Sequence, residues 1–253
     1  MIKKIKNFVW NNAEISCKLS NDIEESRYFR LDNFLEKNEV SLDKIIKLAH
    51  TCNNLTDLNI GETDKIAVVG NSGILMDTEM GEEIDKHDII IRCNRAKIEG
   101  FEKHVGSKTT LRMVATKSAG AYDLSETFSD WNPEFLANLK DEHLILCGQR
   151  INQLLIGFFN NRKVGKIHFL KTEFIDEVIE LVGNYPSVGL LSICLAVSLS
   201  TNVDIYGFNF FKEDWKSQHY FEDVKPHSRG HDFKDEEDYV NLLSNKKLIT
   251  IRR

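Results

Sequence analysis

The sequence predicts an α/β fold with a mainly parallel central sheet flanked by helices. Three observations carry that expectation. From Lys65 onward the chain contains short β-branched runs that are apolar at consecutive positions, as strands covered on both faces require. Helical stretches alternate with these runs, the pattern of βαβ units. At 253 residues, 42% hydrophobic and 28% charged, the chain is long enough to bury one large or two modest cores.

The expected strands are, in order, 65–70 (KIAVVG), 88–93 (DIIIRC), 111–115 (LRMVA), 143–148 (HLILCG), 166–170 (KIHFL), 203–208 (VDIYGF) and 248–251 (LITI). Residues 151–160, 173–182, 189–199 and 235–245 read as helices between them. Residues 1–60 are polar and helix-like, with Leu42, Ile45, Ile46, Leu48 and Ala49 near helical spacing, so they are expected to form an extension packed on a main domain at 61–253. Only three prolines occur, with no Ser/Gly/Pro-rich linker and no internal repeat, so no sharper boundary is expected.

Lys plus Arg number 33 against 39 Asp plus Glu, a formal charge of -6, which argues against a nucleic-acid partner. The cysteines, Cys17, Cys52, Cys93, Cys147 and Cys194, are five in number and never in a CxxC pair, so neither a disulfide framework nor a cysteine zinc site is expected. Free thiols suit a reducing compartment. The early lysines precede an apolar stretch that breaks at Asn11 and Asn12, and the longest nearly unbroken one, Val188 to Leu199, falls well short of the roughly 20 residues of a spanning helix. A cytoplasmic protein without a transmembrane segment is expected, with peripheral membrane association left open.

In folds of this kind ligands sit at the carboxyl ends of the strands. There the first strand runs into Gly70-Asn71-Ser72-Gly73, where small residues let backbone approach a ligand and Asn71 and Ser72 offer neutral hydrogen bonds. An ordinary strand-to-helix turn uses the same residues. Leu75 interrupts the dinucleotide fingerprint and Ile74 the nucleophile elbow. The second strand ends at Asn94, a second carboxamide able to meet Asn71 across one ligand, or simply to end the strand. Ser187-Val188-Gly189 opens an apolar helix, which is either an anion site or plain capping. His219, His227 and His231 fall within thirteen residues of a polar loop. Such imidazoles can remove a proton, donate to a phosphate or, with Asp232, suggest a metal cluster, although no HExxH or CxxC accompanies them.

Together these segments resemble glycosyltransferase family 29, the sialyltransferases. Residues 65–110 are similar to that family's large sialylmotif and 185–208 to its small one; His219-Tyr220 matches the third motif, and His231 with Glu236 gives the H-x4-E very-small motif. The resemblance implies a metal-independent variant of the Rossmann-like GT-A fold. It also implies inverting transfer of sialic acid, from its cytidine monophosphate (CMP) ester, to a hydroxyl of a glycan or glycolipid. No cofactor is implied, since the CMP-sugar is a substrate. Carried over, Asn71, Ser72, Gly73 and Asn94 would bind the donor, with Ser187 and Gly189 at its phosphate and ribose and Gly207 and Phe208 near cytosine. Tyr185 would face the acceptor or phosphate, His219 would hold the leaving phosphate, His231 would be the general base, and Glu236 would support that loop.

Three departures bear on this. Val188 stands where the family usually has Thr, and Ile66 and Ser200 stand where animal members place a cysteine pair. The animal anchor is also missing. A soluble, bacterial-type member is therefore expected, with all five thiols free, and the donor extends to related ulosonic acids such as Kdo or a legionaminic-type sugar. The competing expectations are a metal-dependent hydrolase or phosphodiesterase built on the histidine loop, and a nucleotide-binding module without catalysis.

Overall fold

The structure, a computed structural model, describes residues 59–115, 142–147, 167–210, 219–222 and 231–252. The expected extension at 1–60, apart from its last two residues, the expected helix at 151–160, His227, Cys17, Cys52 and most of the loops flanking 115 and 210 lie outside them. The chain divides into two compact units, the first containing Asn59–Met113 and Glu173–Arg253, the second Val114–Thr172 among its segments.

In the first unit, β1 (Lys65–Val69), β2 (Ile89–Cys93), the Leu111–Met113 part of β3 (Leu111–Ala115), β6 (Asn202–Tyr206) and β7 (Thr250–Arg252) lie in the order β3-β2-β1-β6-β7, every neighbouring pair parallel. In the second, β4 (His143–Cys147) and β5 (Ile167–Phe169) pair in parallel. The expected α/β class is found, and the reason is burial: Ile66 through Val69 are inaccessible to solvent, as are Ile91, Leu111, Met113 and Val114.

One face of the first sheet packs Ala67, Val69, Ile90 and Tyr206 against Leu75 of the 3-10 helix Gly73–Asp77, Ile84 of α1 (Gly81–Ile84) and Val105 of α2 (Glu102–Val105). These single-turn elements carry too short a period to be read in advance. The opposite face takes α4 (Val188–Leu199), which packs on β1, β2 and β6. Its residues Leu190 to Ala196 are all buried, so it carries no amphipathic stripe. The amphipathic helix α3 (Thr172–Val182) instead buries Phe174, Ile175, Val178 and Val182, one side only.

Boundaries moved for local reasons. β6 stops at Tyr206 because Gly207 is left-handed (φ +69). α5 (Phe233–Asn245) starts two residues earlier than expected because Asp232 caps it, accepting from the Lys234 and Asp235 amides. β7 starts two residues later because Lys247 (φ 56) and the Leu248 amide, bonded to the Leu243 carbonyl, still terminate α5.

Ile66 is buried in β1, and Ser200, which ends α4, donates its hydroxyl to the Asp64 carbonyl at 2.6 Å and accepts from the Asn202 amide at 3.0 Å. A hydrogen-bonded knot thus ties α4 to the start of β1. Cys93, Cys147 and Cys194 are free and buried, as expected of them.

Candidate active site

All the described candidates lie in the first unit. The ends of β1 and β6 approach at backbone distance: the Gly70 amide donates to Tyr206 O at 2.8 Å and the Ser72 amide to Gly207 O at 3.2 Å. A Cβ on Gly70 would sit 2.4 Å from Gly207 O, and one on Gly207 would sit 2.5 Å from Leu75 Cδ1. The Phe208 ring lies against both Gly70 and Gly189, whose own Cβ would be 3.0 Å from it. Gly189 therefore seats Phe208, a packing role beside the expected ligand role. Ser72 is buried and its hydroxyl accepts from the Ile74 amide, capping the turn that Gly73 opens.

Asn71 and Asn94 stand at the ends of adjacent parallel strands. Asn71 donates Nδ2–H to the carbonyl of Cys93, the residue before Asn94, at 3.2 Å. Its Oδ1 is buried and, among the described residues, accepts no hydrogen bond. A buried acceptor left unmet costs about 1–3 kcal/mol unless a ligand or water supplies the donor. Asn94 is left-handed (φ 51), a conformation Asn tolerates better than other non-glycine residues.

On the other side, two residues of the segment before α4 grip two residues at the start of α5. Glu236, 3% exposed, accepts from both the Ser187 amide and the Ser187 hydroxyl, each at 2.6 Å. His231 Nδ1 lies 2.9 Å from the Tyr185 carbonyl. A carbonyl only accepts, so Nδ1 carries the hydrogen and, in the neutral ring, Nε2 keeps its lone pair. Burial pushes the Glu236 carboxyl above its ordinary range, against the opposing pull of the Ser187 donors and His231. Glu236, expected to support the histidine segment, is placed by these two bonds on the Ser187 turn. The Ser187 hydroxyl, expected at a phosphate, is engaged by Glu236 and by the Leu190 amide it caps at 3.1 Å. The Val188 and Gly189 amides are left as the donors of the helix start.

His219 Nδ1 meets Glu222 Oε1 at 2.8 Å, and its ring stacks on Phe221. Tyr220 anchors this short stretch: its amide donates to Asn71 O at 3.0 Å, its hydroxyl donates to Lys97 O, and its ring packs on Phe101. Burial pushes the Tyr220 phenol up to about 12, so it stays a donor at neutral pH. Glu222 was not singled out in the sequence; a carboxylate three residues after a motif histidine, across a tight turn, is the signal that could have found it. A cavity of about 420 Å³ beside Phe208, whose lining includes Ile74, Leu75, Phe210 and Ile251 together with polar residues such as Glu237 and Arg252, includes neither His219 nor His231. Among the described residues no three His, Cys, Asp or Glu side chains are grouped to hold a metal ion.

The family model for glycosyltransferase family 29 (sialyltransferase) matches residues 8–248. A chicken CMP-N-acetylneuraminate-beta-galactosamide-alpha-2,3-sialyltransferase 1 is 37% identical over 166 residues, 62% of this chain and 47% of the relative. A rat CMP-N-acetylneuraminate-beta-1,4-galactoside alpha-2,3-sialyltransferase is 28% identical over 211 residues, 72% of this chain and 56% of that protein. Aligned regions thus span about half the length of these curated relatives. The crystal structure of a mammalian sialyltransferase shares the fold, with a TM-score of 0.66 at 24% identity, covering 99% of this chain and 91% of that one. Nothing in these matches favours the metal-dependent hydrolase considered for the histidine loop. With its family model matched across nearly the whole sequence, the chain belongs to glycosyltransferase family 29, the sialyltransferases.

Proposed function

We propose that the protein transfers sialic acid, or a related ulosonic acid, from its CMP ester to a hydroxyl of a glycan or glycolipid, with inversion and without a divalent metal. Family membership and the CMP-N-acetylneuraminate donors in the relatives' names support the reaction class. The observation that carries the mechanism is the His231 Nδ1 bond to the Tyr185 carbonyl, which leaves Nε2 as a base beside the start of α4.

In this reading Nε2 takes the acceptor hydroxyl's proton as its oxygen attacks the anomeric carbon opposite the phosphate. The bond from that carbon to the phosphate oxygen breaks, and CMP leaves with the electron pair. The Val188 and Gly189 amides and His219, oriented by Glu222, stabilise the departing anion. Asn71 Oδ1 receives a donor hydrogen from the nucleoside. Base assistance of this kind contributes typically about 10²- to 10⁴-fold. A cytoplasmic location and a bacterial-type origin belong to the same proposal, supported by the three free buried cysteines and by Ser200 where animal members place a cysteine.

The test is thermal unfolding of the chelator-treated protein with CMP, followed by acceptor-free hydrolysis of the CMP esters of sialic acid, Kdo and legionaminic acid. A hundredfold excess of CMP over Kd should add about 2.7 kcal/mol of stability, and one ester should be hydrolysed well ahead of the others. No response to CMP in chelator, restored by zinc or manganese, would overturn the metal-independent reading.

A further inference from the structure

We propose that Arg112 is the positioning residue that holds Asn94 in its binding conformation, an inference that rests on Asn94 being a nucleotide contact. Asn94 leaves β2 in the left-handed region, a conformation that persists in an L-residue where its surroundings hold it there. Its amide donates to Met113 O at 2.8 Å and so continues the ladder one residue past the Cys93–Met113 pair. The reversal in φ then turns its carbonyl out of the ladder, and that carbonyl needs a new donor.

Arg112 supplies it. The side chain is 2% exposed, and its Nη1 donates to Asn94 O at 2.9 Å and to Ala96 O at 3.0 Å. The Ala96 amide closes the same turn on Cys93 O, which also accepts from Asn71. One guanidinium nitrogen therefore bridges two carbonyls of the turn, which carries Asn94 and accepts the Asn71 carboxamide at Cys93 O.

The neighbouring strand has a counterpart with a different target. Arg92 is the register partner of Arg112. It sends its guanidinium to the Val105, Gly106 and Lys108 carbonyls, at the end of α2 and in the loop before β3. The two buried arginines divide the backbone between them, Arg92 fixing the loop that enters β3 and Arg112 the turn that leaves β2. A planar guanidinium holds two carbonyls at once from one nitrogen, whereas a lysine ammonium is a shorter, freely rotating point donor, so Arg112→Lys keeps the charge and loses the bridge.

The experiment is a double-mutant cycle on the full chain, read as CMP affinity by calorimetry, with wild type, Arg112→Lys, Asn94→Ala and the double variant. Arg112→Lys should weaken CMP binding about tenfold in the wild-type background and less than twofold once Asn94 is alanine. If Arg112→Lys does not fold, Arg112→Gln takes its place in the same cycle. Unchanged affinity in the single arginine variant, or equal losses in both backgrounds, overturns the inference while CMP binding by the wild type stands. An Asn94→Ala protein that binds CMP like the wild type overturns it as well. A wild type that does not bind CMP overturns the nucleotide reading and this inference with it.

Discussion

The cradle formed by the ends of β1, β2 and β6 and the pair of motif histidines are built on different physical terms. In the cradle, backbone packs on backbone: a single methyl on Gly70 would meet Gly207 O at 2.4 Å, and neither atom belongs to a side chain that can swing away. The histidines are each oriented by one described hydrogen bond, His231 through the Tyr185 carbonyl and His219 through Glu222. A region of the first kind responds to volume and should lose stability and affinity together. The second kind depends on orientation, and its base, His231, should lose turnover with little change in either.

The largest expected effect lies on the histidine side. His231→Ala should lower kcat by about 10²- to 10⁴-fold while CMP affinity, measured by calorimetry, stays within about twofold, because the ring's described partner is a carbonyl outside the cradle. A parallel loss of CMP binding would break the division. Next comes Gly70→Ala, an overpacking change worth about 1–3 kcal/mol, or roughly 2–4 °C in Tm per kcal/mol for a chain of this size, with CMP affinity falling alongside. Gly189→Ala should cost less, since its new methyl would meet the edge of the Phe208 ring at 3.0 Å and a ring edge can shift. Equal losses from the two would show that the cradle is not limited by backbone contact.

Glu222→Gln should be milder. The pair is partly exposed, 29% for His219 and 39% for Glu222, so solvent screens it and stability should hardly move. Turnover should fall by less than about tenfold, consistent with one orienting hydrogen bond of roughly 1 kcal/mol. A His231-sized loss would mean that Glu222 takes part in proton transfer itself.

The strands are legible because burial on both faces leaves an unmistakable apolar run, and the motifs mark Asn71, Asn94, Ser187, His219 and His231 in the sequence itself. What could not be read is how these residues are held. The His231 bond goes to a main-chain carbonyl, which has no identity in sequence, and Glu236 reaches Ser187 across 49 positions. Arg112 reads as an ordinary strand residue until φ at Asn94 shows that a carbonyl there has left the ladder. Support of this kind is three-dimensional, so only the groups supported were visible in advance.

The smallest expected effect tests the clasp itself. Burial raises the Glu236 carboxyl above the ordinary glutamate value of 4.5; Asp232 adds to the rise, while the two Ser187 donors and His231 oppose it. A raised carboxyl binds its proton more tightly in the native state than in the unfolded chain. From the raised value down to about 4.5 the native state therefore holds the extra proton, and stability climbs as pH falls through that window. Asp85 acts with the opposite sign: burial would raise it, but the Ser107 and Lys108 donors hold it low, so its contribution is lost only below the usual carboxylate range. Comparing wild type with Glu236→Gln cancels Asp85 and leaves Glu236. In urea unfolding across that window, wild type should gain on the variant as pH falls. A wild type that loses ground instead would mean that the two 2.6 Å bonds from Ser187 outweigh burial, and that the clasp is held by charge as well as by shape.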